Sequence, residues 1–216
     1  MTGLSPGRGE RLDFRLIVIT DRDLARPRTV REVVTAALAA GAPVVQLRDK
    51  RAGARDLLEE ARSLLALVRR HGAKLLVNDR LDVALAAGAD GVHLGPDDLT
   101  VAAARRIAPP EFLIGYSTDD PDDARRAERE GASYIGCGAV FGTTSKAETA
   151  GERIGVARLD EVARAVRIPV VAIGGIDTKN VDEIGDTAAA GVAVIGSIMG
   201  AEDPGAAARA LLEPFR

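Results

Sequence analysis

Eight short apolar runs recur along the chain, and stretches rich in Ala, Leu and Arg separate them. This alternation limits the fold more than any other feature. The runs are continuously apolar, as strands buried on both faces of a parallel sheet are, whereas half-solvated strands alternate between apolar and polar residues. The predicted strands are Arg15–Thr20, Val44–Leu47, Lys74–Val77, Gly91–Leu94, Phe112–Tyr116, Tyr134–Gly136, Val170–Ile173 and Val192–Ile195.

The stretches between these runs have helical composition. The predicted helices are Thr29–Ala40, Ala54–Arg70, Arg80–Ala87, Thr100–Ile107, Pro121–Glu130, Val156–Val166, Lys179–Asp186 and Pro204–Leu212. Glycine is the expected residue just past a helix end. The glycines interpreted in this way are Gly41, Gly72, Gly88, Gly131 and Gly191.

Eight strand–helix units of about 25 residues each predict an α/β fold, a single-domain (β/α)8 TIM barrel over residues 14–216. An open doubly wound sheet is the alternative, but the G-x-G-x-x-G motif expected after its first strand is missing. Residues 1–13 are expected to form a flexible tail. The Gly-rich, polar segment 138–155 is long for a connection inside a compact domain, which predicts a mobile loop.

Composition excludes several classes of protein. Lys and Arg number 29 against 32 Asp and Glu, so the basic excess of a general nucleic-acid binder is missing. No apolar run approaches the roughly 18–20 residues of a membrane helix. The single cysteine, Cys137, fits a reducing compartment, and no secretory leader is evident, so a cytoplasmic protein is expected. The sequence leaves the oligomeric state open, a homo-oligomer included.

Polar residues follow the second predicted strand, and the active site of a (β/α)8 barrel lies at the carboxyl ends of its strands. Gln46, Arg48 and Lys50 share one face because a strand has a period of two. An amide, a guanidinium and an ammonium group together suit a polyphosphate. A solvated strand end with a few ion pairs is the alternative interpretation.

Carboxylates follow the third and fourth strands. Asp79 could meet Asp97 or Asp98 across adjacent strand ends, and two carboxylates with substrate phosphates are typical of a Mg²⁺ site. Capping of helix N-termini would equally account for these residues. His93 lies before the loop and is interpreted as structural, and His71 as a partner of a helix carboxyl end.

Glycines follow the last two strands, at Gly174, Gly175 and Gly196. Glycine lets backbone N–H groups approach an anion closely, and the loops after strands 7 and 8 frequently form a phosphate site in this fold. Plain tight turns are the alternative. The residues alone therefore predict a barrel with one monophosphate site and one metal-assisted polyphosphate site, and hence two phosphorylated substrates.

Six stretches of the sequence form a recognisable set: QLRDK (46–50), NDR (78–80), DGVHLGPDD (90–98), the Gly115–Ser117 turn, YIGCGAVFGTTSK (134–146) and VVAIGGI (171–176). In their order and spacing, from about Leu16 onward, the chain resembles the thiamine-phosphate synthases. The resemblance implies a (β/α)8 enzyme that joins 4-amino-2-methyl-5-diphosphomethylpyrimidine to 4-methyl-5-(2-phosphoethyl)thiazole or its 2-carboxy form. In this family the diphosphate leaves first, and the thiazole nitrogen attacks the resulting pyrimidinylmethyl cation, giving thiamine phosphate and pyrophosphate.

The resemblance also implies a role for each matched residue. The pyrimidine diphosphate would be bound by Gln46, Arg48, Lys50, Asn78 and Lys146, with Ser117 near the pyrimidine. The thiazole phosphate would be bound by Thr143, Ser145, Gly175 and the backbone of Ile195 and Gly196. Asp79 and Asp98 would hold the Mg²⁺ cofactor, and Lys146, Arg48 and Ser117 are the implied catalytic residues.

Three positions depart from the family pattern. Gly142 stands where the family usually has Pro, Pro96 where it often has Gln, and Asp119 where it often has His. A related thiazole tautomerase uses that histidine as its acid and base and tends to lack the full Q-x-R-x-K set, so the synthase is favoured over this alternative. A non-catalytic barrel that binds a phosphorylated ligand is a second alternative, against which Asp79, Asp98 and Lys146 argue.

Overall fold

The computed structural model describes residues 12–142 and 153–216. The predicted flexible tail therefore lies outside the described residues except for its last two positions. The central part of the predicted mobile loop, residues 143–152, lies outside them as well.

Eight parallel strands form a closed barrel in chain order, with β8 paired to β1. The strands are β1 Leu16–Ile19, β2 Val44–Leu47, β3 Lys74–Asn78, β4 Gly91–Leu94, β5 Leu113–Ser117, β6 Tyr134–Cys137, β7 Val170–Ile173 and β8 Gly191–Val194. The predicted (β/α)8 fold is confirmed, and each strand lies within two residues of its predicted bounds. The strands are almost entirely buried because helices cover their outer face.

Helices alternate with the strands. They are α1 Arg22–Ala25, α2 Val30–Ala39, α3 Ala54–Arg70, α4 Leu81–Ala87, α5 Val101–Ile107, α6 Pro121–Glu130, α7 Gly155–Ala165, α8 Val181–Gly185, α9 Gly196–Met199 and α10 Pro204–Leu212. The four-residue helices α1 and α9 were not predicted, since so short a segment shows no helical period. None of the helices in the described ranges is long and apolar enough to cross a membrane.

Local chemistry accounts for the helix bounds. Thr29 and Glu32 form a reciprocal capping box at the start of α2, in which each side chain bonds the backbone of the other. Gly88 and Gly131 end α4 and α6 in the left-handed conformation, as predicted. Gly191 does not follow a helix: it is the first residue of β8, where a Cβ atom would lie 2.2 Å from the carbonyl oxygen of Phe14.

Candidate active site

One cavity of about 550 Å³ opens at the carboxyl ends of the strands. Its size is typical of a small-molecule site. Of the predicted site residues, it brings together Arg48, Lys50, Asn78, Asp79, Asp98, Ser117, Gly175, Ile195 and Gly196. Gln46 is 3% exposed inside the barrel and is not among the lining residues. Thr143, Ser145 and Lys146 lie outside the described residues.

Arg48 is fixed at one end of this cavity. The hydroxyl of Thr20, at the end of β1, accepts a hydrogen bond from the Arg48 backbone N–H at 2.9 Å and donates to the Arg48 carbonyl at 3.3 Å. The Nε atom of Arg48 is buried without a hydrogen-bond partner among the described residues. A buried donor normally has an acceptor, so this guanidinium is set to bind an anion that enters the cavity.

Asp79 and Asp98 meet beside this cationic end. The Asp79 backbone takes a left-handed conformation, with φ of 62°, and its N–H donates to the carbonyl of His93 at 2.8 Å. Burial raises the pKa of Asp79 to about 6, and the negative charge and hydrogen bond of Asp98 act in the same direction. Lys50 and Arg48 partly offset this shift in pKa. The two carboxylates are therefore close enough for one to disfavour ionisation of the other.

The capping interpretation of these carboxylates is wrong. Helix α4 begins after Arg80 without any side-chain cap, and α5 is capped by the hydroxyl of Thr100. Asp98 instead accepts a hydrogen bond from the Gly95 backbone N–H at 2.7 Å, which fixes its carboxylate within the turn. Asp97 is exposed at the rim, so the structure pairs Asp79 with Asp98.

A divalent cation fits this pair of carboxylates. The described lining includes two cationic side chains, Arg48 and Lys50, and four carboxylates, at Asp79, Asp97, Asp98 and Asp177. Anionic substrates would enter this surplus of negative charge unless a metal ion offset it. Among the described residues no group of three or more His, Cys, Asp or Glu could hold a metal. Mg²⁺ suits such a site because it binds through one or two carboxylates and completes its shell with water and phosphate oxygens.

The opposite end of the cavity is formed by glycine loops. Gly174 and Gly175 have φ values of 100° and 66° in the loop after β7. The segment after β6 runs alongside, with the Val140 N–H donating to Ile173 at 2.9 Å and the Phe141 N–H to Gly174 at 3.0 Å. The Ser197 hydroxyl in α9 donates to the carbonyl of Ile176, which joins the two glycine loops. Backbone therefore forms this wall, as predicted for a phosphate site.

We expect Gly175→Ala to weaken both folding and phosphate binding. A Cβ atom at Gly175 would lie 2.7 Å from the carbonyl oxygen of Gly142, whereas one at Gly72, with a nearly identical φ of 67°, would meet nothing within 4 Å. Gly72→Ala should lower the free energy of unfolding by about 1 kcal/mol through backbone strain alone. Gly175→Ala should lower it by about 2 kcal/mol more through the added clash.

Urea unfolding of both variants measures this difference. Calorimetric titration with the thiazole phosphate should show weaker binding for Gly175→Ala and unchanged binding for Gly72→Ala. Equal losses of stability would mean that the loop at Gly175 can move to accommodate a side chain. The close approach of Gly175 to the Gly142 carbonyl would then not restrict this position.

Sequence reasoning missed a polar network beneath the cavity. His93 lines the cavity and is 7% exposed, and its Nε2 atom lies 2.8 Å from the Ser117 hydroxyl. Its Nδ1 atom lies 2.7 Å from the hydroxyl of the buried Tyr134. The glycines that make room for these rings, Gly115 and Gly136, were the available signal, because glycine inside a strand often marks a close approach.

Two other interpretations of single residues are confirmed. The Nδ1 atom of His71 lies 3.1 Å from the Leu67 carbonyl at the end of α3. Cys137 is a buried, free cysteine on β6. Neither residue lines the cavity formed by the described residues.

Comparison with known proteins assigns the chain to one family. The family model described as thiamine monophosphate synthase matches residues 16–198. The chain belongs to this family. A thiamine-phosphate synthase from Methanoculleus marisnigri is 49% identical over 93% of this chain and 94% of its own length. One from Chloroflexus aurantiacus is 46% identical over 93% of this chain and 92% of its own length.

Solved structures agree with the family assignment. A thiamine phosphate pyrophosphorylase from Pyrococcus furiosus superposes with a TM-score of 0.85 at 42% identity, covering 94% of this chain and 96% of its own. A 3-hexulose-6-phosphate synthase from Salmonella typhimurium gives a TM-score of 0.70 at 16% identity, covering 94% of this chain and 98% of its own. The second likeness shows only that the (β/α)8 fold is shared.

Proposed function

We propose that this chain, as a thiamine-phosphate synthase, joins 4-amino-2-methyl-5-diphosphomethylpyrimidine to 4-methyl-5-(2-phosphoethyl)thiazole within the described cavity. The observation that carries the proposal is that two different sets of residues line one cavity, and each set suits a phosphate group. Arg48 and Lys50 lie at one end beside two carboxylates, and the glycine loops after β7 and β8 form the other. Two phosphorylated substrates would then meet between the ends.

The first chemical step breaks the bond between the pyrimidine methylene carbon and the diphosphate oxygen. Charge builds on the departing oxygen, and groups held in place before the reaction stabilise it most effectively. Arg48 and Lys50 would bind the diphosphate oxygens, Arg48 through its buried, unpartnered Nε atom. Asp79 and Asp98 would hold Mg²⁺, which supplies a concentrated positive charge next to the leaving group when bound.

The second step forms the bond between the thiazole nitrogen and the methylene carbon. The loops at Gly175 and Gly196 would hold the thiazole phosphate so that its ring faces the pyrimidine. Ser117 and Asn78 also line the cavity and would contact the pyrimidine. A cationic intermediate reacts with water as well as with thiazole, so exclusion of water matters more here than a general base. Thr143 and Ser145 would bind the thiazole phosphate at this stage. Lys146 would bind the diphosphate leaving group.

The position of Asp119 favours this reaction over thiazole tautomerisation. A tautomerase needs an acid or base at the bound thiazole. Asp119 is exposed, its carbonyl accepts a hydrogen bond from Arg158 at 2.7 Å, and it is not among the described residues that line the cavity. The protein should therefore show little aromatisation of the dihydrothiazole isomer.

Purified protein incubated with both substrates and Mg²⁺ tests the proposal. Thiamine phosphate and pyrophosphate should form in equal amounts, and neither should form when one substrate is omitted. Efficient aromatisation of the dihydrothiazole without coupling would instead establish the tautomerase. Binding of both substrates without turnover would establish a non-catalytic barrel.

A further inference from the structure

A buried hydrogen-bonded chain lies inside the barrel and ends at the cavity. It runs from Tyr134 on β6 to His93 on β4 and then to Ser117 on β5. The bonds from His93 to Tyr134 and to Ser117 measure 2.7 and 2.8 Å, which is within the range of well-formed hydrogen bonds. Three side chains from three strands are thus joined, and of these His93 and Ser117 line the cavity.

The backbone leaves just enough room for this chain. A Cβ atom at Gly115 would lie 2.2 Å from the Tyr134 ring and 2.5 Å from His93 Nδ1. One at Gly136 would lie 3.0 Å from the Cε1 atom of His93. The ring of Phe14 packs on Tyr134 with 4.6 Å between centroids. Packing therefore fixes the imidazole and phenol rings in place. Their fixed positions determine which atoms each ring can reach with a hydrogen bond.

The direction of the bonds follows from the phenol proton. Tyr134 is completely buried, and burial raises its pKa well above the ordinary value, so the hydroxyl keeps its proton. The Gln46 side chain acts on this pKa in the opposite direction and offsets the shift only in part. A buried O–H requires an acceptor, and His93 Nδ1 is placed to be one.

We infer that Tyr134 and His93 are positioning residues that make Ser117 a hydrogen-bond donor toward the cavity. When Nδ1 of a neutral imidazole accepts a hydrogen bond, its proton lies on Nε2. His93 Nε2 therefore donates to the Ser117 oxygen, and the Ser117 proton is left to point at a ligand. With the opposite tautomer, Ser117 would donate to His93 and offer only an acceptor to the cavity.

This inference rests on the proposed function and deepens it. A pyrimidine ring nitrogen accepts hydrogen bonds, whereas the exocyclic amino group mainly donates them. A donor at Ser117 therefore selects a ring nitrogen of the pyrimidine diphosphate and fixes which way the ring faces. The network would determine how the pyrimidine is oriented without touching the diphosphate or the reacting carbon.

Nitrogen NMR of the wild-type protein tests the tautomer without any substrate. The chain contains two histidines, so a His71→Asn variant assigns both sets of signals. His71 provides an internal reference, since its Nδ1 atom must donate to the Leu67 carbonyl. We expect neutral His93 with its proton on Nε2. A proton on Nδ1, or on both nitrogens, would overturn the inference, and this result stands whether or not the enzyme proves to be a synthase.

A double-mutant cycle tests the functional consequence. Tyr134→Phe removes one oxygen and should raise KM for the pyrimidine diphosphate about fivefold to tenfold, as loss of one hydrogen bond does. Ser117→Ala should have a similar effect, and the double variant should be no worse than either single variant. The KM for the thiazole phosphate should stay the same. Effects that multiply in the double variant would show that Tyr134 acts independently of Ser117, and would contradict the inference.

Discussion

Asp79→Asn and Asp98→Asn should each lower turnover by at least about 100-fold and raise the Mg²⁺ concentration needed for activity. A loss of that size corresponds to about 2.7 kcal/mol of barrier. The reason is that a divalent cation at the leaving diphosphate requires both carboxylates, which the structure brings together from β3 and β4. Binding of the thiazole phosphate should survive because its site lies at the opposite end of the cavity.

A Mg²⁺ titration of activity for each variant, beside a binding isotherm for thiazole phosphate, checks this result. Asp82→Asn is the matched control. Asp82 is an exposed carboxylate three residues along the chain from Asp79 and pairs with Arg80 on the surface, where an ion pair contributes little. Wild-type activity that persists in excess chelator, or an unchanged Mg²⁺ response of the Asn variants, would contradict the metal site.

Arg48→Met should lower kcat/KM for the pyrimidine diphosphate by about 100-fold or more, because charge-assisted bonds to the leaving group strengthen as charge develops. Methionine keeps most of the side-chain volume, so the melting temperature should change little. Arg51→Met is the control in the same loop. The Arg51 side chain is 74% exposed and pairs with Asp23 at 2.5 Å, so its loss should change kcat/KM by less than about twofold.

Steady-state kinetics with each substrate varied in turn separates the possible outcomes. Arg48→Met should lower kcat/KM for the pyrimidine diphosphate and leave the KM for the thiazole phosphate unchanged. An equal effect of the two arginine variants would show that general positive charge at the cavity mouth, and not the buried guanidinium, is what the reaction needs.

Most of the fold could be predicted because its signal is local. Each strand is a continuously apolar run, and its burial between the covering helices and the barrel interior leaves few alternatives. The misinterpretation of Gly191 has a physical reason as well. A glycine after a helical stretch normally ends the helix, whereas this one allows the start of β8 to pass close to Phe14, a contact between residues far apart in sequence.

The site could be predicted as far as strand order determines it. Asp79, Asp98 and Arg48 follow neighbouring strands, so a parallel barrel must bring them to one rim. The choice between Asp97 and Asp98 depended on the turn that Gly95 forms with Asp98, which sequence spacing does not specify. His93 was interpreted as structural because it lies before the loop. Its contact with Tyr134 could not be inferred, since Tyr134 lies 41 residues away on a strand that is not a neighbour of β4.

A crystal structure with pyrophosphate, Mg²⁺ and thiamine phosphate bound tests the central claim most directly. The account predicts pyrophosphate on Arg48 with the metal between Asp79 and Asp98, and the phosphate of thiamine phosphate in the loops at Gly175 and Gly196. The opposite placement, with pyrophosphate in the glycine loops or the metal away from both carboxylates, would contradict the proposal that the two ends of this cavity bind different phosphates.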